Sequence, residues 1–282
     1  MTSRTSQLAG LAALVLSITH PAYGDYLSAF EPPLYSGSAA GVLLTGQDGW
    51  YTPSGSAQAK VYTYAGNQYG FAVNPQGSEQ FVSGRPETFT SVRGQHDIDF
   101  TVHDVWAISW DFAAKTAEAA PAQNTLGSLS LQPSATARSF IATFLWVDQL
   151  NPTGGINARF DVYNLFGGAF PGQSPGPAWE NLFYNHWYHQ SVLVDFLTNR
   201  ITEVSITDLT TGTSATAYPT DWYLLGGQSP TQPLPTAIRL FTGGNSINNL
   251  MGWDNLALVP EPTSAVLLSA GLALTMLLRR RG

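Results

Sequence analysis

Several stretches of this 282-residue chain carry side chains that could act on a ligand or hold one. Gly172-Gln173-Ser174-Pro175-Gly176 matches G-x-S-x-G. A nucleophile elbow of that form needs a strand before the serine and a helix after it. Pro171, Pro175 and Pro177 forbid the helix, so Ser174 is read as a loop residue. Asp97, Asp99 and Asp104 lie in "DIDFTVHD" and are the nearest thing to a glycosidase carboxylate set. Such enzymes need two carboxyl groups at a fixed separation. Asp97 and Asp99 instead alternate with Ile98 and Phe100, which reads as a solvated outer face. His186 and His189 sit three residues apart in "ENLFYNHWYHQ". On a strand that spacing sends them to opposite faces, so they cannot share a metal. A histidine with a tyrosine could still serve a lyase as base and acid.

The same region supplies Trp179, Tyr184, Trp187, Tyr188 and His189. Aromatic faces stack on sugar rings, while amides and imidazoles bond the hydroxyls. These five residues are expected to bind glycan. The competing reading is core packing, because 12% of the chain is aromatic.

The elements that must position these residues are short strands between turns. "AKVYTYA" (59–65), "YGFAVN" (69–74) and "ETFTSV" (87–92) come first. "DIDFTVHDVWAISWDFAA" (97–114) keeps one parity from Ile98 through Phe112. "SLSLQP" (128–133), "ARSFIATFLWVD" (137–148) and "ARFDVYNLF" (158–166) follow. "HQSVLVDF" (189–196), the turn "LTNR" and "ITEVSITDL" (201–209) predict a hairpin. "TAIRLFTGG" (236–244) and "GWDNLALV" (252–259) close the series. No amphipathic helix is found outside the termini. About a dozen strands at this spacing predict an all-β fold, a β-sandwich of jelly-roll type over 25–258.

Charge narrows the function. Setting aside Arg4 and Arg279 to Arg281, 8 of the 12 basic residues face all 19 acidic ones, a body charge of −11. No basic stripe exists, which excludes nucleic acid as a partner and docking on anionic lipid. There are no cysteines, hence no disulfides, thiolate metal sites or cysteine nucleophiles.

The two ends speak to destination. Residues 1–24 hold Arg4, an apolar run from Leu8 to Ile18, and Ala22-Tyr23-Gly24. That pattern predicts a secretory signal peptide cut before Asp25. Residues 259–282 hold Pro260-Glu261-Pro262, an uncharged run over 263–278, and Arg279, Arg280 and Arg281. As a helix the run would be about 24 Å long, short for a bilayer core of about 30 Å. The arginines fix its direction by staying cytoplasmic. Together these features resemble the PEP-CTERM sorting signal of exported bacterial proteins. The resemblance implies a short C-terminal transmembrane helix, with signal peptidase and a membrane exosortase as partners. It also implies transient anchoring in the inner membrane, then delivery to the cell surface or extracellular matrix.

The body carries a second resemblance. "WYHQSVLVDFLTNRITEV" is similar to the hairpin of concanavalin A-like, LamG-type sandwiches. "FEPP", "LLTGQDGWY" and "MGWDNLALVPEP" resemble strings in exported jelly-roll proteins with this tail. Carbohydrate-binding jelly rolls of this kind imply a structural calcium shared by Glu31 near the start and Asp254 near the end. Carboxylate oxygens suit that ion.

The expected function is an exported, surface-sorted, non-catalytic glycan-binding or matrix protein, with an extracellular polysaccharide as partner. The alternatives are a polysaccharide lyase or glycoside hydrolase on the same fold, and a purely structural envelope protein. For the sorting motif, Glu261→Ala is expected to leave the protein uncut in the membrane fraction. Release of that variant at normal size, followed by immunoblotting, would end the sorting reading.

Overall fold

Strict alternation builds the strands. Along Tyr188–Asp195 the residues Tyr188, Gln190, Val192 and Val194 are buried, and the four between them are half-buried. This period of two gives each strand a core face and an outer face. The computed structural model describes residues 26–76, 79–116, 124–132, 136–146 and 155–261. The expected leader (1–24), the apolar run (263–278), Pro262 and Arg279 to Arg281 lie outside the described residues. Among the described residues no helix is long and apolar enough to cross a membrane.

Sixteen strands are present among the described residues. β1 is Tyr26–Ser28, β2 Val42–Leu43, β3 Ala57–Gln58, β4 Lys60–Thr63, β5 Gln80–Gly84 and β6 Val92–Asp97. β7 is Val105–Thr116, β8 Asn124–Gln132, β9 Ile141–Trp146, β10 Ile156–Tyr163 and β11 Ala169–Gln173. β12 is Tyr188–Asp195, β13 Arg200–Asp208, β14 Ser214–Ala217, β15 Ala237–Thr242 and β16 Asn249–Pro260. They form two sheets, so the all-β sandwich expected from the sequence is present. One sheet runs β14-β13-β12-β7-β16-β5-β4-β2, with β1 also paired to β16. The other runs β11-β10-β9-β8-β15-β6-β3. Nearly every pairing is antiparallel; β3 with β6 is parallel.

The main core lies between the sheets and includes Trp106, Trp110, Phe112, Phe144, Phe160, Val192, Leu240 and Trp253. A second cluster of Tyr62, Tyr64, Phe71, Phe81, Ala113 and Trp187 is buried on the opposite side of the nine-stranded sheet. Ala113 and Trp187 alternate with Phe112 and Tyr188, which places them on that outer face. The segment after β4 covers them.

Two expectations change here. The run 97–114 is not one strand: β6 ends at Asp97 and β7 starts at Val105. Between them the Asp99 carboxylate accepts from Thr101 N and Oγ1 at 2.9 and 2.6 Å, capping a 3₁₀ turn at Phe100–Val102. A short acid that bonds its own backbone ends an extended run. The stretches 69–74 and 87–91 are likewise not strands. In the first, side chains take over the pairing of the backbone. Asn67 bonds Tyr64 O, Phe71 O and Phe71 N, Lys115 Nζ donates to Tyr69 O and Gly70 O, and Trp187 Nε1 donates to Ala72 O. Backbone groups need partners, and a sheet ladder is only one source of them.

Phe112 joins both sheets. Its ring centroid lies 4.1 Å from that of Phe144 and 5.5 Å from that of Tyr188. Phe112→Ala should cost about 3–5 kcal/mol of stability, read as a lower urea midpoint at unchanged slope.

Candidate functional site

Two features outside the main core could serve a ligand. The first is a buried polar cluster on the outer face of the nine-stranded sheet. Asp111 on β7 and Asp254 on β16 stand opposite each other in register, and both are fully buried. Like charges facing across a strand pair are destabilising, and buried carboxylates need donors. Asn74 supplies them to both, its Nδ2 lying 2.8 Å from Asp111 Oδ2 and 3.1 Å from Asp254 Oδ2. Tyr64 OH donates to Asp254 at 2.9 Å. β16 then bulges after Asp254, with Asn255 at φ 45°. A bulge re-aims a side chain, and here Asn255 Nδ2 reaches Asp111 Oδ2 at 2.7 Å. Asn tolerates this left-handed backbone better than a branched residue would.

His189 completes the cluster from β12, its Nδ1 lying 2.7 Å from Asp111 Oδ1. A carboxylate only accepts, so Nδ1 is the donor in this contact and Nε2 is the ring nitrogen left to face a ligand. The ring is about one-third exposed, at 35%. An imidazole held in this way could take up a proton at Nε2, which is what the base of a hydrolytic or lyase site has to do. Across the next strand its register partner is Thr207, whose hydroxyl is bonded to Ser214 Oγ at 2.8 Å.

The aromatic platform expected at 179–189 is corrected. Trp179, Trp187 and Tyr188 are buried. Trp179 and Tyr188 belong to the main core, and Trp187 belongs to the outer cluster beneath the segment after β4. Tyr184 is partly buried against the main core. Of the five residues, only His189 and Tyr184 retain appreciable exposure. His186 points elsewhere, 3.4 Å from Asp208. Ser174 donates to Glu180 Oε1 at 2.5 Å; it follows β11, and only a single 3₁₀ turn at Pro177–Trp179 comes after it, not the α-helix a nucleophile elbow needs.

Glu31 and Asp254 are held by different groups. The Glu31 carboxylate accepts from the amides of Glu79 and Gln80 at 2.5 and 2.8 Å, whereas Asp254 is bonded by Tyr64, Asn74 and its neighbour's amide. A calcium ion takes six to eight oxygen ligands. Both carboxylates already face donors, and among the described residues no three His, Cys, Asp or Glu side chains converge on a metal position. This arrangement does not fit a shared calcium.

The second feature is a groove on the outer face of the seven-stranded sheet. Register places Arg239 opposite Gln95 and Ser130, and Phe241 opposite Arg93 and Ser128. Ser128 continues to Thr143 and then Arg159, and Ser130 to Ile141 and then Asp161. Two rows of side chains therefore cross β6, β15, β8, β9 and β10. The middle strands β8 and β9 carry Ser128, Ser130, Thr143 and Ile141, shorter than the Arg93, Arg239 and Phe241 side chains of β6 and β15, and a groove of about 290 Å³ lies over them. Its lining includes Arg93, Arg239, Ser128, Thr143, Asp161 and Phe241. Sequence reading missed it. The available clue was an arginine at outward parity in "TAIRLF" and another in "SVRGQH".

Asn74 is the donor common to both buried carboxylates. Asn74→Ala should destabilise the fold by about 2–3 kcal/mol, the scale of a buried hydrogen bond to a charged group. Chemical denaturation checks this, and unchanged stability would show that the amide does not hold the pair.

No family model and no curated protein matches the chain. Solved structures do. A carbohydrate esterase from the Shiga toxin-encoding bacteriophage phi24B is 13% identical at TM-score 0.43, over 79% of this chain and 98% of that one. Lectin UEA-II complexed with galactose is 10% identical at TM-score 0.45, over 83% and 97%. Alginate lyase vAL-1 from Chlorella virus is 12% identical at TM-score 0.41, over 78% and 100%. These likenesses are too loose to transfer a site or an activity to this chain.

Proposed function

We propose that this is an exported, surface-sorted, non-catalytic β-sandwich that binds an extracellular glycan. The observation that carries the reading is the groove on the seven-stranded sheet. Sugars are bound by several short hydrogen bonds arranged along a shallow surface, aided by an aromatic face. The groove offers Ser128, Ser130 and Thr143 along its floor, Gln132 and Asp161 beside them, and the half-buried Phe241 ring. Sorting in this reading uses Pro260, Glu261, Pro262 and Arg279 to Arg281, with signal peptidase and an exosortase as partners.

A lyase or glycoside hydrolase is the second reading, and its specific support is His189 held by Asp111. One experiment separates the two. The purified full-length protein in detergent is applied to a glycan array, and the bound glycan is assayed for new reducing ends. Binding without cleavage is expected. Ser130→Tyr, which fills the floor, should lower affinity at least tenfold, while His189→Ala should leave it unchanged. New reducing ends that vanish in His189→Ala would instead make the protein an enzyme. Ser130→Tyr binding as well as the parent would move the glycan away from this groove.

A further inference from the structure

The groove collects positive charge that the fold does not neutralise. Acidic residues outnumber basic ones 19 to 12 in the whole chain, so acidic partners are plentiful. Arg159 has one, Glu180 at 2.8 Å. Among the described residues the other ion pairs belong to His186 and His189, and neither Arg93 nor Arg239 has a carboxylate within ion-pair distance. Arg239 directs Nε and Nη2 to the neutral Gln95 Oε1, at 2.8 and 2.6 Å. Arg93 reaches Ser56 Oγ at 3.1 Å and lies over the Phe241 ring, 5.3 Å from its centroid.

The two arginines are close enough to oppose each other. Burial, and after it the charge of Arg93, push the Arg239 guanidinium below its ordinary pKa. Two polar atoms in the same groove have no partner: Arg93 Nε and Thr143 Oγ1. Thr143 is only 8% exposed and lies on the floor, so its hydroxyl is buried without a bond. Buried donors normally find partners, and two orphans beside an unpaired arginine couple call for an external acceptor. Guanidinium groups present forked donors that match a planar carboxylate.

We infer that the groove binds a carboxylated sugar, a uronate unit of an acidic polysaccharide, with its carboxylate against Arg93 and Arg239 and a ring oxygen or hydroxyl on Thr143. This rests on the reading that the groove is the glycan site. Asp161 gives the site direction. It lies three strands from Arg239 in the same row, about 14 Å at the usual strand spacing. Its Oδ1 already accepts from the Gly172 amide at 2.8 Å. An acid at that end repels the carboxylate and accepts from a sugar hydroxyl, so the chain of sugars lies across β8 and β9 with its charged groups toward β15.

The test uses full-length protein in detergent and four probes: an oligogalacturonate, its methyl ester, a sulfated glucan and a neutral glucan. Calorimetry should show the oligogalacturonate binding at least tenfold more tightly than its methyl ester, with affinity falling as salt is raised. Arg93→Gln and Arg239→Gln should each weaken that binding about tenfold or more, and Thr143→Val about threefold. Arg93→Lys keeps the charge but loses the fork, so it should recover only part of the affinity. Melting temperatures serve as the folding control. If an arginine variant fails to fold, the methyl-ester comparison on the parent protein still decides. Equal affinity for acid and ester overturns the charge assignment and leaves the glycan reading standing. Binding of the sulfated glucan alone assigns the arginines to sulfate and overturns the uronate. Binding of none of the probes, with or without Ser130→Tyr, overturns the groove as a glycan site.

Discussion

Two carboxylates facing each other inside the nine-stranded sheet organise much of what surrounds them. Asp111 and Asp254 sit on its two most extensively paired strands, β7 and β16, where no water reaches them. A single buried charge is costly, and two in register repel as well. Their side-chain donors come from three separate places: Tyr64 and Asn74 in the segment after β4, Asn255 at a bulge within β16, and His189 on β12. Each of those sources is therefore held in one position. The segment carrying Asn74 must lie across the outer face, and it covers Tyr64, Phe81 and Trp187 as it does so. The second hydrophobic cluster and the polar cluster hold the same segment from two sides. Burial of those rings offsets part of the cost of the buried acids.

That constraint also explains which parts of the fold were legible. The hairpin of β12 and β13 was readable because its alternation is unbroken and its turn is local. Asp195 bonds the amides of Leu197 and Thr198, and Asn199 takes the left-handed position at φ 56°. The burial of Trp187 was not readable. Period-two reasoning assumes one wet face, yet Trp110, Asp111, Phe112, Ala113 and Ala114 are all buried. A strand covered on both sides loses the distinction on which the argument depends. An aromatic at outward parity then reads as a platform when it is a second core. Likewise Asn67, Lys115 and Trp187 bond the backbone of 69–72 with side chains, a substitution that strand propensity does not register.

The groove was hidden for a different reason. Its residues lie at 93, 128, 130, 143, 159, 161, 239 and 241, on five strands from distant parts of the chain. No single strand contributes more than two of them. Their adjacency follows from register alone, and register follows from which faces can be buried. Leu240 and Ile238 must face the core, so Arg239 and Phe241 must face out. The same parity puts Ser128 and Ser130 outward, alternating with the core residues Leu129 and Leu131. The hydrophobic pattern thus sets which positions share the row, whatever residue types occupy them. What the pattern does not require is arginine at 93 and 239, since serine or threonine would satisfy the parity equally well.

The end of the fold bears on the tail. β16 runs to Pro260, which pairs with Trp106 in the centre of the nine-stranded sheet, and the Glu261 amide donates to Val105 O at 3.0 Å. Pro260 has no amide to give a ladder, which suits a strand terminus. The Pro-Glu-Pro therefore begins where the sandwich stops, with no linker between them. A membrane enzyme acting at this motif must approach within a few residues of folded protein, or the last turn of the ladder must open first. Strand ends open more readily than strand centres, because they give up few bonds. The Glu261 side chain is exposed, while Pro260 remains part of the sheet. Under the proposed sorting role, folding and sorting would share one boundary: a substitution that loosens the end of β16 should then also change how accessible Glu261 is.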